Sequence, residues 1–147
     1  MDTKRKIDIE TLKWNDYHIS NLIIDYLKIG FTRFDSQVII ENCIIENLEI
    51  HSTWFQKGCI LRGCIIKNDI DYQMGGHNLF PIEIKQNIFE DFLGFFDCHF
   101  DEVIILSNNI FQKGSNLLGN IGEGYQNMFN SGVVIDNNMG NLKVNRC

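Results

Sequence analysis

The chain contains no alanine. That best of helix formers is missing, while 23 isoleucines and 17 asparagines occur among 147 residues. Such a balance favours β-branched strand residues and turn formers over helix. There is no run of about 20 apolar residues, so no membrane-spanning helix is written here. The opening MDTKRKIDIE lacks the apolar core of a signal peptide, and the expected location is cytoplasmic. CxxC pairs and paired Cys/His spacings are absent too, which removes any sequence signal for zinc. No other cofactor is implied. Five cysteines, an odd number without compact pairing spacing, suit a reducing compartment. Basic residues are few: 13 Lys and Arg against 19 Asp and Glu leave a net charge of −6. A basic arm for direct nucleic-acid binding is therefore not expected, nor is a membrane partner. The length fits one domain over 1–147.

What is present is a repeat. The stretch VIIENCII (38–45) reads apolar-x-apolar-x-x-small-x-apolar, and it returns as YHISNLII (17–24), CILRGCII (59–66), IEIKQNIF (82–89), VIILSNNIF (103–111) and VVIDNNMG (133–140). Successive starts lie 21, 21, 23, 21 and 30 residues apart. A near-constant period of this size marks a solenoid whose units stack on one another. The connecting segments repeat as well: Thr32-Arg33-Phe34 returns as Thr53-Trp54-Phe55 and as Cys98-His99-Phe100. Each piece alternates inward apolar and outward polar residues, the signature of a half-buried strand. Copies running the same way after a full circuit must pair in parallel, and parallel crossovers are right-handed. The fold expected is all-β: a single-stranded right-handed parallel β-helix of about 21 residues per coil.

Inward residues fall about five apart, as Ile24, Ile29, Phe34, Ile40 and then Ile45, Ile50, Phe55, Leu61, which implies four sides. Two places before each stands Leu22, Leu27, Thr32, Val38, then Cys43, Leu48, Thr53, Cys59. Over residues 17–111 this resembles the pentapeptide-repeat family, whose small residue two places before a central Leu or Phe recurs around a quadrilateral helix. The family's usual alanine is absent and each coil has one residue more. SNNIF (107–111) and VIIENCII are also similar to the units of parallel β-helix proteins that process carbohydrates. Cys43 and Cys64, one coil apart, are expected to stack in the core, with Cys59 and Cys98 also inward and Cys147 outside the pattern.

Residues 1–16 fit the repeat poorly. Ile7, Ile9, Leu12 and Trp14 are expected to fold over the first coil as a cap, with MDTKRK frayed. Outward charges of the coils in 17–71 alternate in sign, as on a solvated face. Two extra residues enter near 71–80, where Gly75-Gly76 reads as a turn pushed out of the wall and His77 as a loop residue. Residues 81–102 carry Glu83, Glu90, Asp91, Asp97, Asp101 and Glu102 against Lys85 alone. Of the adjacent Phe95 and Phe96, one should point outward, as a contact residue or as part of a turn. The longest insertion, 118–132, is glycine-rich, and offers Tyr125, Met128 and Phe129 as contact residues or as anchors of the loop.

Three function classes follow. A non-enzymatic scaffold or protein-binding module needs nothing that is missing, and a last coil with no evident cap points to a homo-oligomer formed through a coil end. The pentapeptide resemblance implies an acidic mimic of duplex DNA that inhibits a DNA-binding enzyme. A carbohydrate-processing enzyme requires converging acids, for which Asp97, His99 and Asp101, alternating along one strand, are the candidates. The first is the reading the sequence favours; the protein partner is unidentified.

Overall fold

The computed structural model describes residues 1–146, and Cys147 lies outside them. Parallel strands stack into a β-solenoid of about five turns, and the stacked strands lie on four walls. The first wall holds His18–Ser20, Val38–Glu41, Cys59–Arg62, Ile82–Lys85, Ile104–Ser107 and Val133–Asp136, hydrogen-bonded in that order. The second holds Asp2–Ile7, Leu22–Lys28, Ile44–Glu49, Ile65–Ile66, Ile88–Phe89 and Ile110–Phe111. Ile70–Gln73 and Leu93–Phe96 form the third wall. On the fourth, Arg33–Phe34 pairs with Trp54–Phe55 and His99–Phe100 with Met128–Phe129, joined through single bridges at Gly76.

Alternation sets which residues face inward. In Val38–Glu41 the first and third residues are buried and the others half-buried, and the same holds in Ile82–Lys85 and Ile104–Ser107. The register offset is 21 from Val38 to Cys59, 23 from Cys59 to Ile82, 22 from Ile82 to Ile104 and 29 from Ile104 to Val133. Two sequence expectations change with it. The mean period is nearer 22 than 21, and the fifth unit starts at Ile104, because Val103 belongs to the preceding corner, where its carbonyl accepts from Ile82 N–H.

Between the first and second walls every coil passes through one left-handed residue: Asn21, Asn42, Gly63, Gln86, Asn108 and Asn137, with φ between 54° and 66°. Asparagine and glycine tolerate this region best. The next residue points inward. In the early coils it is Leu22, Cys43 and Cys64; in the later ones it is Asn87, Asn109 and Asn138. These asparagines form a ladder. Asn109 Oδ1 accepts from the Asn87 N–H at 3.0 Å and from Asn87 Nδ2 at 3.1 Å. Asn138 Oδ1 does the same for Asn109, both at 3.0 Å. Each Nδ2 also donates to a carbonyl one coil back: Leu61, Ile84 and Leu106 at 2.9, 2.8 and 2.9 Å. Buried amides are thereby satisfied, which is the condition for keeping them in an apolar tube.

Aromatic rings stack at the other corners. Phe34–Phe55, Phe89–Phe111 and Phe100–Phe129 have centroids 5.7, 5.1 and 5.6 Å apart and planes within 10°. Tyr72 fills the gap where glycines replace a larger residue. Its hydroxyl donates to Thr53 O at 2.8 Å and accepts from Gly76 N–H at 3.0 Å. A Cβ on Gly75 would lie 2.0 Å from the Tyr72 ring. Gly75 and Gly76 are therefore buried parts of the wall, not an outward turn. The exposed bulge in this coil is Leu79-Phe80.

The N-terminal residues also differ from expectation. Asp2–Ile7 is not frayed: it is a strand that pairs in parallel with Leu22–Lys28. The six-residue helix Ile9–Trp14 follows, N-capped by Asp8, whose carboxylate accepts from Thr11 N–H at 3.0 Å. Ile7 and Leu12 belong to the core, Ile9 packs on it, and Trp14 stays 79% exposed. Cys43, Cys59, Cys64 and Cys98 are free thiols and buried. Burial pushes Cys59 and Cys98 up to about 12; Cys64 is raised by its hydrogen bond with Cys43 and by burial.

Asn109→Ala strands the Asn87 N–H and the Ile84 carbonyl in the core, and should cost about 2–4 kcal/mol in urea unfolding, while Asn130→Ala on the exposed surface leaves the midpoint nearly unchanged. Buried Cys59, Cys64 and Cys98 should react with a thiol reagent at pH 8 only after denaturant is added, since each is held as a thiol; Cys43, which its hydrogen bond with Cys64 lowers to about 7, is among the described residues the one native thiol poised to react. Fast native labelling at Cys59 or Cys98 contradicts the stacked core.

Candidate functional site

Of the groups singled out in the sequence, the fourth wall gathers His77, His99, Asp101 and Met128. Strand pairing sets Arg33, Trp54, Gly76, His99 and Met128 in one outward column. His99 faces out because Phe100, its strand neighbour, is fully buried. His77 (φ 49°) turns beside this column. Its ring lies 4.3 Å from Trp54 and 5.6 Å from His99, centroid to centroid. Trp54 Nε1 donates to Met74 O at 3.0 Å, which fixes the indole.

Asp101 is the hub. His99 Nε2 lies 3.5 Å from its Oδ1, and His77 Nδ1 lies 3.8 Å from its Oδ2. Asn130 Nδ2 donates to Oδ1 at 3.3 Å, and Ser131 Oγ donates to the Asp101 carbonyl at 2.8 Å. His99 Nε2 is buried and makes no hydrogen bond. The contact with Asp101 is thus one of proximity, not of aligned donor and acceptor.

Asp97 does not share this geometry. It occupies a left-handed corner (φ 53°) between Leu93–Phe96 and His99–Phe100, so strand alternation does not extend to it. Of the catalytic candidates the structure brings His99 and Asp101 together, adds His77, and leaves Asp97 exposed and without a hydrogen bond or ion pair to either. One carboxylate between two imidazoles is an acid–base cluster, without the paired carboxyls that glycoside hydrolysis uses. Among the described residues no three His, Cys, Asp or Glu side chains could hold a metal ion.

The aromatic candidates separate in the same way. Phe95 is buried in the core at 1% exposure, so it is not a contact residue. Phe96, its outward neighbour, stacks on Tyr125 with centroids 4.5 Å apart and planes at 12°. Tyr125 also passes its carbonyl to Asp97 N–H at 2.9 Å. It therefore anchors the 118–132 loop on the wall. Phe129 continues the inner stack on Phe100, whereas Met128 stands 54% exposed. Buried Asn127 closes the loop from inside, accepting from Cys98 N–H at 3.0 Å.

Three of the six acidic side chains in 81–102 have a lysine partner. Lys85 reaches Glu83 at 2.9 Å, Lys67 reaches Glu90 at 3.4 Å and Lys113 approaches Asp91 at 3.9 Å. On the first wall Arg62 and His18 both hold Glu41, and these bonds, that of Arg62 first, lower its carboxyl below the ordinary range. A depressed folded-state value means that this contribution is present above the ordinary carboxylate range and fades as pH falls through the lowered one.

The last strand of the first wall, Val133–Asp136, ends its sheet, at the coil for which the sequence offers no evident cap. Its residues Val133 and Ile135 occupy the register of Ile104 and Leu106, both fully buried, yet Ile135 is 39% exposed. Alternation marks both as inward, but whether anything covers them is not a local property. His77 and Trp54 had a signal in their spacing, 22 and 45 residues before His99, or about one and two coils. No protein-family model, curated protein or solved structure matches the chain.

Replacing Tyr125 by Ala removes the stack that holds the loop. The expected result is faster limited proteolysis in exposed 121–124, with the circular dichroism spectrum unchanged. Resistance equal to that of the unaltered protein assigns the anchoring to Asn127 alone.

Proposed function

We propose that this protein is a non-enzymatic β-helical binding module that meets another polypeptide along its C-terminal coil, and that this polypeptide is a second copy of itself. The observation behind the proposal is the strand Val133–Asp136, which among the described residues pairs on one side only, with Ile104–Ser107. An unpaired strand edge is a template for strand addition. Val134, Met128 and Met139 stand exposed in the same coil, at 45, 54 and 66%, with Ile135 at the open edge. Burying one such aliphatic side chain is worth about 1.5–3 kcal/mol. The asparagine ladder also ends there, since Asn138 has no further amide above it among the described residues.

At the opposite end Ile7 and Leu12 are buried and the helix Ile9–Trp14 lies on the core. Copies therefore meet through like ends, in an isologous contact that closes at a dimer rather than a fibre. A pentapeptide-type ancestry is compatible with the small Thr53, Cys43 and Cys64 positions two residues before the buried Phe55, Ile45 and Ile66. The DNA-mimic reading is weakened by the Lys partners of Glu83, Glu90 and Asp91.

Light scattering across the micromolar range should show a concentration-dependent dimer. Ile135→Asp should shift it to monomer with little change in melting temperature, because the site is partly exposed in the single chain. A wild-type monomer at every concentration overturns self-association, and an unaltered dimer in Ile135→Asp moves the contact elsewhere.

A further inference from the structure

The third wall carries an open pocket that neither the acid–base cluster nor the C-terminal coil uses. Its volume is about 340 Å³, and Asp69, Asp71, Phe92, Gly94, Phe96 and Arg146 are among its lining residues. The recess exists because Asp71 pairs with Gly94 in the next coil, so the outward position above Asp71 has no side chain. A Cβ there would press on the Ile70 carbonyl at 3.2 Å.

Charges of both signs line this space without meeting. Asp69 and Asp71 are exposed, and among the described residues Asp71 accepts only from Gln73 Nε2, at 2.8 Å. Arg146 is fixed through its backbone: its carbonyl accepts from Asn116 Nδ2 at 3.0 Å and Asn120 Nδ2 at 2.8 Å, and its N–H donates to Asn120 Oδ1 at 2.9 Å. Its guanidinium lies 4.2 Å over the Phe92 ring instead of on a carboxylate. Among the described residues no ion pair joins Arg146 to Asp69 or Asp71. Elsewhere on the walls opposite charges close on each other, as Lys67 does on Glu90 at 3.4 Å. Here an aromatic floor keeps them apart, in a volume within the range of small-molecule sites.

We propose that this pocket binds a small zwitterion with an apolar side. Its ammonium meets Asp69 and Asp71, its carboxylate takes the free donors of Arg146 in the two-pronged geometry that guanidinium favours, and its apolar part lies on Phe92 and Phe96 beside the Gly94 recess. A purely cationic ligand leaves Arg146 opposed to like charge, and a purely anionic one faces two carboxylates. Only a molecule with both charges satisfies both edges.

Phenylalanine and leucine serve as probes, with phenylalaninamide, which lacks the carboxylate, and N-acetylphenylalanine, which lacks the ammonium. Titrated at millimolar concentration into the full chain, the two amino acids should shift the amide resonances of residues 69–73 and 92–96 and of Arg146. Each capped form should bind at least about tenfold more weakly, a difference near 1.4 kcal/mol. Arg146→Gln should abolish the preference over the amide, and Asp71→Asn the preference over the N-acetyl compound, both with native melting temperatures. Equal binding of capped and free forms, or no shift at these resonances with either amino acid, overturns the proposal.

Discussion

No coil of this tube can satisfy its own backbone. The N–H groups of one donate to the carbonyls of a neighbouring coil, as Ile65 does to Cys43 and Ile88 to Cys64, and that vertical hand-over governs everything else. It fixes the spacing between coils at roughly 4.8 Å, the distance at which flat rings stack face to face and amides bond one above another. Phe89 over Phe111 and Asn87 over Asn109 are two answers to the same spacing. One excludes water by area; the other keeps a polar column by leaving no buried donor unpaired.

Closing a circuit within about 22 residues requires sharp corners, and a left-handed residue in every coil supplies one of them. Asparagine serves twice at that corner. Asn42, Asn108 and Asn137 adopt the conformation, while Asn87 and Asn109, one place later, carry the ladder inside. Where the coil count changes, a different device restores the fit: Tyr72 reaches across to Thr53 and Gly76 and occupies the space that two glycines leave open.

Much of this was legible in the residues. The period, the alternation, the inward column of Phe34 and Phe55 and the equivalence of Cys43 and Cys64 all follow from counting, because each depends on neighbours a fixed number of residues away. Less legible was anything that depends on where an extra residue is absorbed. Gly75-Gly76 has the composition of a turn, yet both are buried because the surplus emerges at Leu79-Phe80 instead. The charged strand Asp2–Ile7 has no apolar alternation to announce it; its order comes from pairing with Leu22–Lys28. Asp97 looked aligned with His99 and Asp101 until the corner turned it away.

By itself, then, the amino-acid order determined a parallel solenoid and the identity of its core columns, since a side-chain period of two and a circuit near 22 residues are local, countable properties. Only the tertiary structure decided which outward side chains share a surface. His77 meets Trp54 and Asp101, and Arg146 reaches the pocket of Asp69 and Asp71 from a strand of sequence over 70 residues away. A single residue gained or lost in any circuit rotates every later side chain relative to its neighbours, so the faces of the rod are set by the sum of all its corners and not by any one motif.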